Sequence, residues 1–151
     1  MSGERGAARK KKGQGPAPPP SLIRSLREIA SAGKRLRRRA KKQQANGTEA
    51  KVVPIKVDLN GLSVRDEGAF AVIHAMERER VPCAYLDLSM CSITNKGATA
   101  VARLLEESQA LTELRLQSNL IEDEGAGSLA RALLKNESLT SLRLDSNRLG
   151  P

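Results

Sequence analysis

Few residues in this 151-residue chain have the type and spacing to do chemistry. His74 is the sole histidine and falls on the outer side of a predicted helix, where it reads as a surface residue rather than a base or ligand. Cys83 and Cys91 stand eight apart with no second Cys/His pair at zinc spacing, and both occupy positions expected to point inward. They read as buried structural thiols. The acidic pairs Asp66-Glu67 and Asp123-Glu124 precede predicted helices, where they complement the positive end of the helix dipole rather than hold a metal. Gly68, Gly97 and Gly125 each open a helix, and a helix N-terminus can hold an anion. Their regular recurrence points instead to a packing need at the turn. With no Gly-rich phosphate loop and no nucleophile elbow, an enzymatic mechanism has no residues to carry it. No catalytic, metal or cofactor site is expected.

Two larger sets of polar residues remain. Residues 1–50 carry 14 Lys/Arg against Glu4, Glu28 and Glu49, a net +11, whereas residues 51–151 are at −2. The basic character therefore belongs to the N-terminal third. Its densest run is KRLRRRAKK, with Lys34, Arg35, Arg37, Arg38, Arg39, Lys41 and Lys42, preceded by Lys10-Lys11-Lys12. Such a run reads as an import signal or a nucleic-acid patch, with a solubilising tail as the plain alternative. Interleaved aromatics are missing, which disfavours stacking on single-stranded bases. An acidic protein or a membrane surface would serve as partner equally well. The second set lies in the other two thirds of the chain, where a repeat decides which side chains face outward.

Leu111, Leu114, Leu116, Asn119 and Ile121 recur 28 residues later as Leu139, Leu142, Leu144, Asn147 and Leu149. The same step backwards gives Cys83, Leu86, Leu88, Cys91 and Ile93, and a step of 29 reaches Val57, Leu59, Leu62 and Val64. A fixed period of this length marks a solenoid of stacked supersecondary units. The spacing from strand to glycine is constant, so the extra residue of the first unit falls in the Glu77–Pro82 connection, where insertion costs least. Side chains alternate on a strand, so Leu114 and Leu116 point inward and Arg115 outward. Strands are predicted near 56–59, 85–88, 113–116 and 141–144. Helical spacing of Ala69, Val72, Ile73 and Met76, of Ala98, Val101, Ala102 and Leu105, and of Ala126, Leu129, Ala130 and Leu133 predicts helices near 68–77, 97–107 and 125–135. A core of stacked aliphatics also explains one Phe, one Tyr and no Trp.

The pattern L-x-x-L-x-L-x-x-N-x-I/L, followed by a helix opening G-A-x-x-L-A-x-x-L, resembles the leucine-rich repeat of the ribonuclease-inhibitor type. The resemblance covers residues 52 to 151, as units 54–82, 83–110, 111–138 and the stub 139–151. It implies an α/β, right-handed solenoid or horseshoe with parallel inner strands and outer helices. Close strand spacing on the inside (about 4.8 Å) against wider helix spacing outside (about 8–10 Å) forces the curvature. Asn119 and Asn147 are expected to satisfy backbone groups buried at the turn out of each strand, since an amide both donates and accepts. Leu62 stands where the later units have Cys91, Asn119 and Asn147, which makes the first unit cap-like. The chain stops after a strand, leaving an uncovered end. That is expected either of a fragment of a longer array or of an end that a partner covers.

Before the repeats lies the basic arm, residues 1–50, expected to be largely disordered with a helix near 21–44. Ser21 is its candidate cap, and Leu22, Leu26, Ile29, Gly33, Leu36 and Ala40 form its apolar face. The helix is expected to weaken beyond Gly33, where like charges crowd, and to end at Asn46-Gly47.

In proteins of the resembled family, partners dock on the concave strand face. Here its outward positions form three columns across the strands. One runs Lys56, Tyr85, Glu113, Ser141; the next Asp58, Asp87, Arg115, Arg143; the third Asn60, Ser89, Gln117, Asp145. The reading is a non-enzymatic protein-interaction module or scaffold using that face. The alternative is nucleic-acid or anionic-surface binding through residues 34–42, and a GTPase-activating role ranks behind both. Two thiols, no apolar signal core and no membrane-spanning run lead to the expectation of an intracellular protein, in cytoplasm or nucleus.

Overall fold

The computed structural model describes residues 17–45 and 52–150. Residues 1–16 of the arm expected to be largely disordered, with Lys10-Lys11-Lys12, and the Asn46-Gly47 stop lie outside the described residues. The elements are α1 (Pro20–Gln44), β1 (Ile55–Asp58), α2 (Arg65–Glu79), β2 (Cys83–Asp87), α3 (Asn95–Glu107), β3 (Glu113–Arg115), α4 (Asp123–Leu133) and β4 (Ser141–Arg143). The strands make one sheet in the order β1-β2-β3-β4, every pair parallel.

The register is the sequence period made physical. Leu86 pairs with Leu114 and Leu114 with Leu142, each 28 apart, while Val57 pairs with Leu86 at 29. The extra residue lengthens the C-terminal turn of α2, which runs three residues past Met76 where α3 runs two past Leu105. Arg80 closes that turn in the left-handed region, with φ 52°. Between sheet and helices lies a core of aliphatic layers. Leu59, Leu86, Leu88, Ile93, Leu105, Leu114, Leu116 and Ile121 are fully buried.

Burial fades along the array where a covering neighbour is missing. Ala102 and Leu105 of α3 are buried, but their equivalents Ala130 and Leu133 of α4 are exposed. Leu134 and Leu149 are exposed as well. A helix of this array is covered by the helix of the unit that follows it, and no helix follows α4 among the described residues.

At the other end the arm is not separate. α1 begins with Pro20 at the first helical position and Pro19 as cap, without a side-chain cap bond, so Ser21 does not cap it. The fixed φ of proline suits that first position. Leu22, Ile29 and Ala32 are buried, and Leu26 and Leu36 pack against the same core. The helix does not weaken at Gly33. A Cβ added to Gly33 would lie 2.6 Å from Glu79 Oε2 and 2.8 Å from Glu79 Cβ, so glycine is what lets α1 approach the end of α2. One turn further on, Arg37 reaches the same carboxylate at 2.7 Å. The array therefore starts with a helical cap that contacts α2 and β1, which covers the apolar side the first repeat would otherwise leave open.

Candidate protein-binding face

Two ladders of side chains hold the strand face in shape. The first is the expected asparagine ladder. Asn119 is buried, and its Oδ1 accepts from the N–H groups of Cys91 (3.0 Å) and Ile93 (2.9 Å) in the preceding repeat. Its Nδ2 donates to the carbonyls of Leu88 (2.8 Å) and Leu116 (2.9 Å). Asn147 repeats this one unit on, through Ile121 N–H, Leu116 O and Leu144 O. At the equivalent position Cys91 donates its thiol to Leu59 O at 3.0 Å. Burial raises the Cys91 pKa and pushes Cys83 up to about 11, so both are free, protonated, inward-facing thiols.

The second ladder, at the helix starts, was not anticipated. Asp66 Oδ1 accepts from Thr94 N–H (2.9 Å) and Gly97 N–H (3.1 Å) of the next repeat, and Oδ2 accepts from the Thr94 hydroxyl (2.6 Å). Asn95 Oδ1 does the same for Glu122 N–H (2.8 Å) and Gly125 N–H (3.2 Å), and Asp123 accepts from Gly150 N–H (2.9 Å). The acidic pairs thus cap the following unit as well as complementing their own helix. A Cβ on Gly125 would sit 2.7 Å from Asn95 Oδ1, which is why a glycine recurs there. The signal was present in the sequence: Asp66, Asn95 and Asp123 follow the repeat period.

On this frame the columns stand as the register places them. Lys56, Tyr85, Glu113 and Ser141 pair in order, as do Asp58, Asp87, Arg115 and Arg143. Hydrogen bonds from Gly61, Met90 and Ser118 N–H to Ser89, Gln117 and Asp145 O continue the sheet through the third column. The columns are not uniformly open. Asp87 and Ser89 are buried, each 1% exposed. Asp87 Oδ2 accepts from the Tyr85 hydroxyl (2.9 Å), while Oδ1 accepts from Ser89 N–H (2.9 Å) and the Ser89 hydroxyl. Partial burial, and then this bond to Asp87, raise the Tyr85 pKa. Arg115 lies 5.3 Å from the Tyr85 ring centre, with Lys56 at 6.0 Å. Arg115 Nε donates to Glu113 Oε1 at 2.7 Å, and this bond raises the Arg115 pKa. Asp58 accepts from Asn60 N–H. Lys56, Asp58, Asn60, Arg143 and Asp145 are exposed, and Tyr85, Glu113, Arg115, Gln117 and Ser141 half-buried. The face is a tyrosine held between two cations, a buried carboxylate beneath it and free charges at its ends.

Other candidates are placed as surface or structure. His74 is exposed, 3.9 Å from Glu77. Among the described residues no three His, Cys, Asp or Glu side chains gather as a metal site, and no helix is long and apolar enough to cross a membrane.

A family model described as "Leucine Rich repeat" matches residues 85–102, 107–130 and 135–151. These segments carry leucine-rich repeats. The match begins at Tyr85 and leaves out the β1–α2 unit, the one with Leu62 in place of the asparagine. RAN GTPase-activating protein 2 of Arabidopsis thaliana is 32% identical over 62 residues, 41% of this chain and 11% of that protein. Among solved structures, "Leiomodin-1 Actin-Binding Site 2" superposes with a TM-score of 0.65 at 22% identity, covering 85% of this chain and 64% of that one. The tropomodulin C-terminal domain of Caenorhabditis elegans gives 0.61 at 17% identity, covering 83% and 65%. These shares of the chain exceed the repeats, so the shared fold reaches into the N-terminal segment. The chain spans under two thirds of each of these relatives' length.

Proposed function

We propose that this leucine-rich repeat protein is a non-enzymatic interaction module that holds a protein partner on its concave strand face. The observation that carries the reading is the stack at the middle of the face, Tyr85 between Lys56 and Arg115, flanked by exposed Arg143. Tyr and Arg anchors set in an ordered surround are the residues that dominate protein interfaces. Here the surround is fixed before binding, because Asp87 and Glu113 already orient Tyr85 and Arg115, and less ordering cost then falls on association. The leiomodin structure, named for an actin-binding site, supports a protein as the class of partner. A GTPase-activating role rests on the 62 matched residues alone and stands behind this reading.

Affinity capture tests it with two surface variants. Tyr85→Ala with Arg143→Glu should lose the proteins captured by the wild type. Arg103→Glu with Arg131→Glu, on the exposed helix side, should keep them. Loss on the helix side with retention on the strand side places the interface elsewhere.

A further inference from the structure

The cations of the basic run sit on the C-terminal half of a docked helix, and that narrows what they can bind. At 100° per residue, Leu22, Ile29, Gly33 and Leu36 share one side of α1, and Arg27, Lys34, Arg38 and Lys41 share the opposite side. Exposure agrees: the first set is buried or half-buried and the second exposed. Arg37 is engaged by Glu79 at 2.7 Å. Lys34, Arg35, Arg38, Arg39, Lys41 and Lys42 pair with no carboxylate among the described residues. At 1.5 Å per residue these six charges fall within about 12 Å of helix, or about one per 2 Å. Duplex nucleic acid carries one phosphate charge per about 1.7 Å of its axis.

We propose that this ridge of α1 docks on the phosphate backbone of duplex nucleic acid, recognising charge density and not base sequence. Partners of lower charge density leave like charges on the helix unmatched. A bilayer takes up an amphipathic helix through its apolar face, and here Leu22, Ile29 and Ala32 are already buried on the repeats. A receptor groove that reads an extended basic peptide would have to strip and unwind α1. Neither of the chain's aromatics is on α1, so base stacking has no platform.

Fluorescence anisotropy of the full chain with a short labelled duplex of mixed sequence, titrated with salt, tests this. Engagement of five or six phosphates gives a log–log slope of about −4 to −6. Replacing Lys34, Arg38 and Lys41 with Gln should make the slope about three units shallower. Arg35, Arg39 and Lys42 lie on the adjacent flank of the helix, about 100° round from that triple, and replacing them with Gln should also make the slope shallower. Removing the same charge outside the helix, with Gln at Lys10, Lys11 and Lys12, should change the slope by less than about one unit. Circular dichroism melts check that the variants keep the fold, as exposed, unpaired positions should. Equal effects of ridge and tail triples would reduce the binding to net charge and overturn the proposal. So would tighter binding, at the same salt, to phosphatidylserine-containing vesicles or to polyglutamate than to duplex.

Discussion

Replacing Asn119 with alanine should be among the most damaging single changes in the chain, far beyond the loss of one surface amide. Its side chain closes four buried backbone groups, the N–H of Cys91 and Ile93 and the carbonyls of Leu88 and Leu116, all within 3.0 Å. A buried polar group left without a partner costs about 1–3 kcal/mol, and three are left so, because Leu116 O keeps the Asn147 amide at 2.9 Å. Relaxation and entry of water recover part of this, and a loss of about 3–5 kcal/mol is expected. Asn147 makes three of the four equivalent bonds, in a repeat where Leu142 and Leu144 are only half-buried, so water replaces the amide readily. Asn147→Ala should cost about 1 kcal/mol. Asn119→Cys should fall between, because a thiol supplies the weaker version of the same bonds that Cys91 already makes to Leu59 O. Urea melts of the three variants with constant slope measure the order. Equal losses for Asn119→Ala and Asn147→Ala would refute the reasoning, since Asn119 closes one more backbone N–H and its partner groups are the more deeply buried.

Leu116→Ala, at a fully buried position, should lower stability by about 2–5 kcal/mol in the same melts. Arg115→Ala, with its side chain one third exposed, should lower it less, and the reverse order would mean the strand faces are assigned backwards. Gly33→Leu should overpack the contact with Glu79, costing about 1–3 kcal/mol, and speed hydrogen exchange across α1 while leaving β3 protected. The Arg37 guanidinium, 2.7 Å away, is the chief cause that holds the Glu79 carboxyl below its ordinary 4.5. A lowered carboxylate pKa contributes stability that is complete above the unfolded value and lost as pH falls through the folded one. Seating of α1 should therefore weaken below about pH 4.5, and Arg37→Gln should make the melting temperature less acid-sensitive there. Cys83, raised to about 11 by burial, should resist a thiol-specific reagent at pH 8 until the protein is unfolded. Stability linked to that thiol is intact below its unfolded pKa of about 9 and lost as pH rises through about 11.

The repeat was legible in the sequence because each unit's main contacts lie one period away. Leu86, Leu114 and Leu142 stack in the fold at the interval that separates them in the chain, so a one-dimensional pattern carries the tertiary register. The same holds for Asn119, whose partners in the preceding unit sit 26 to 31 residues back, and for Asp66, Asn95 and Asp123, which recur at the same period. The columns of the strand face followed from that register together with alternation along each strand. What the sequence did not determine was anything without a periodic counterpart. α1 occurs once, and its meeting with α2 through Gly33, Arg37 and Glu79 spans more than forty residues at no repeating interval. Charge crowding argued against that half of the helix, and only its seating on the repeats offsets the repulsion. The burial of Asp87 and Ser89 likewise depends on where the Tyr85 and Arg115 side chains lie across the strands, which alternation alone cannot supply. Leu105 and Leu133 share one position in the repeat and one residue type, and only the packing of a following helix decides which of them is core.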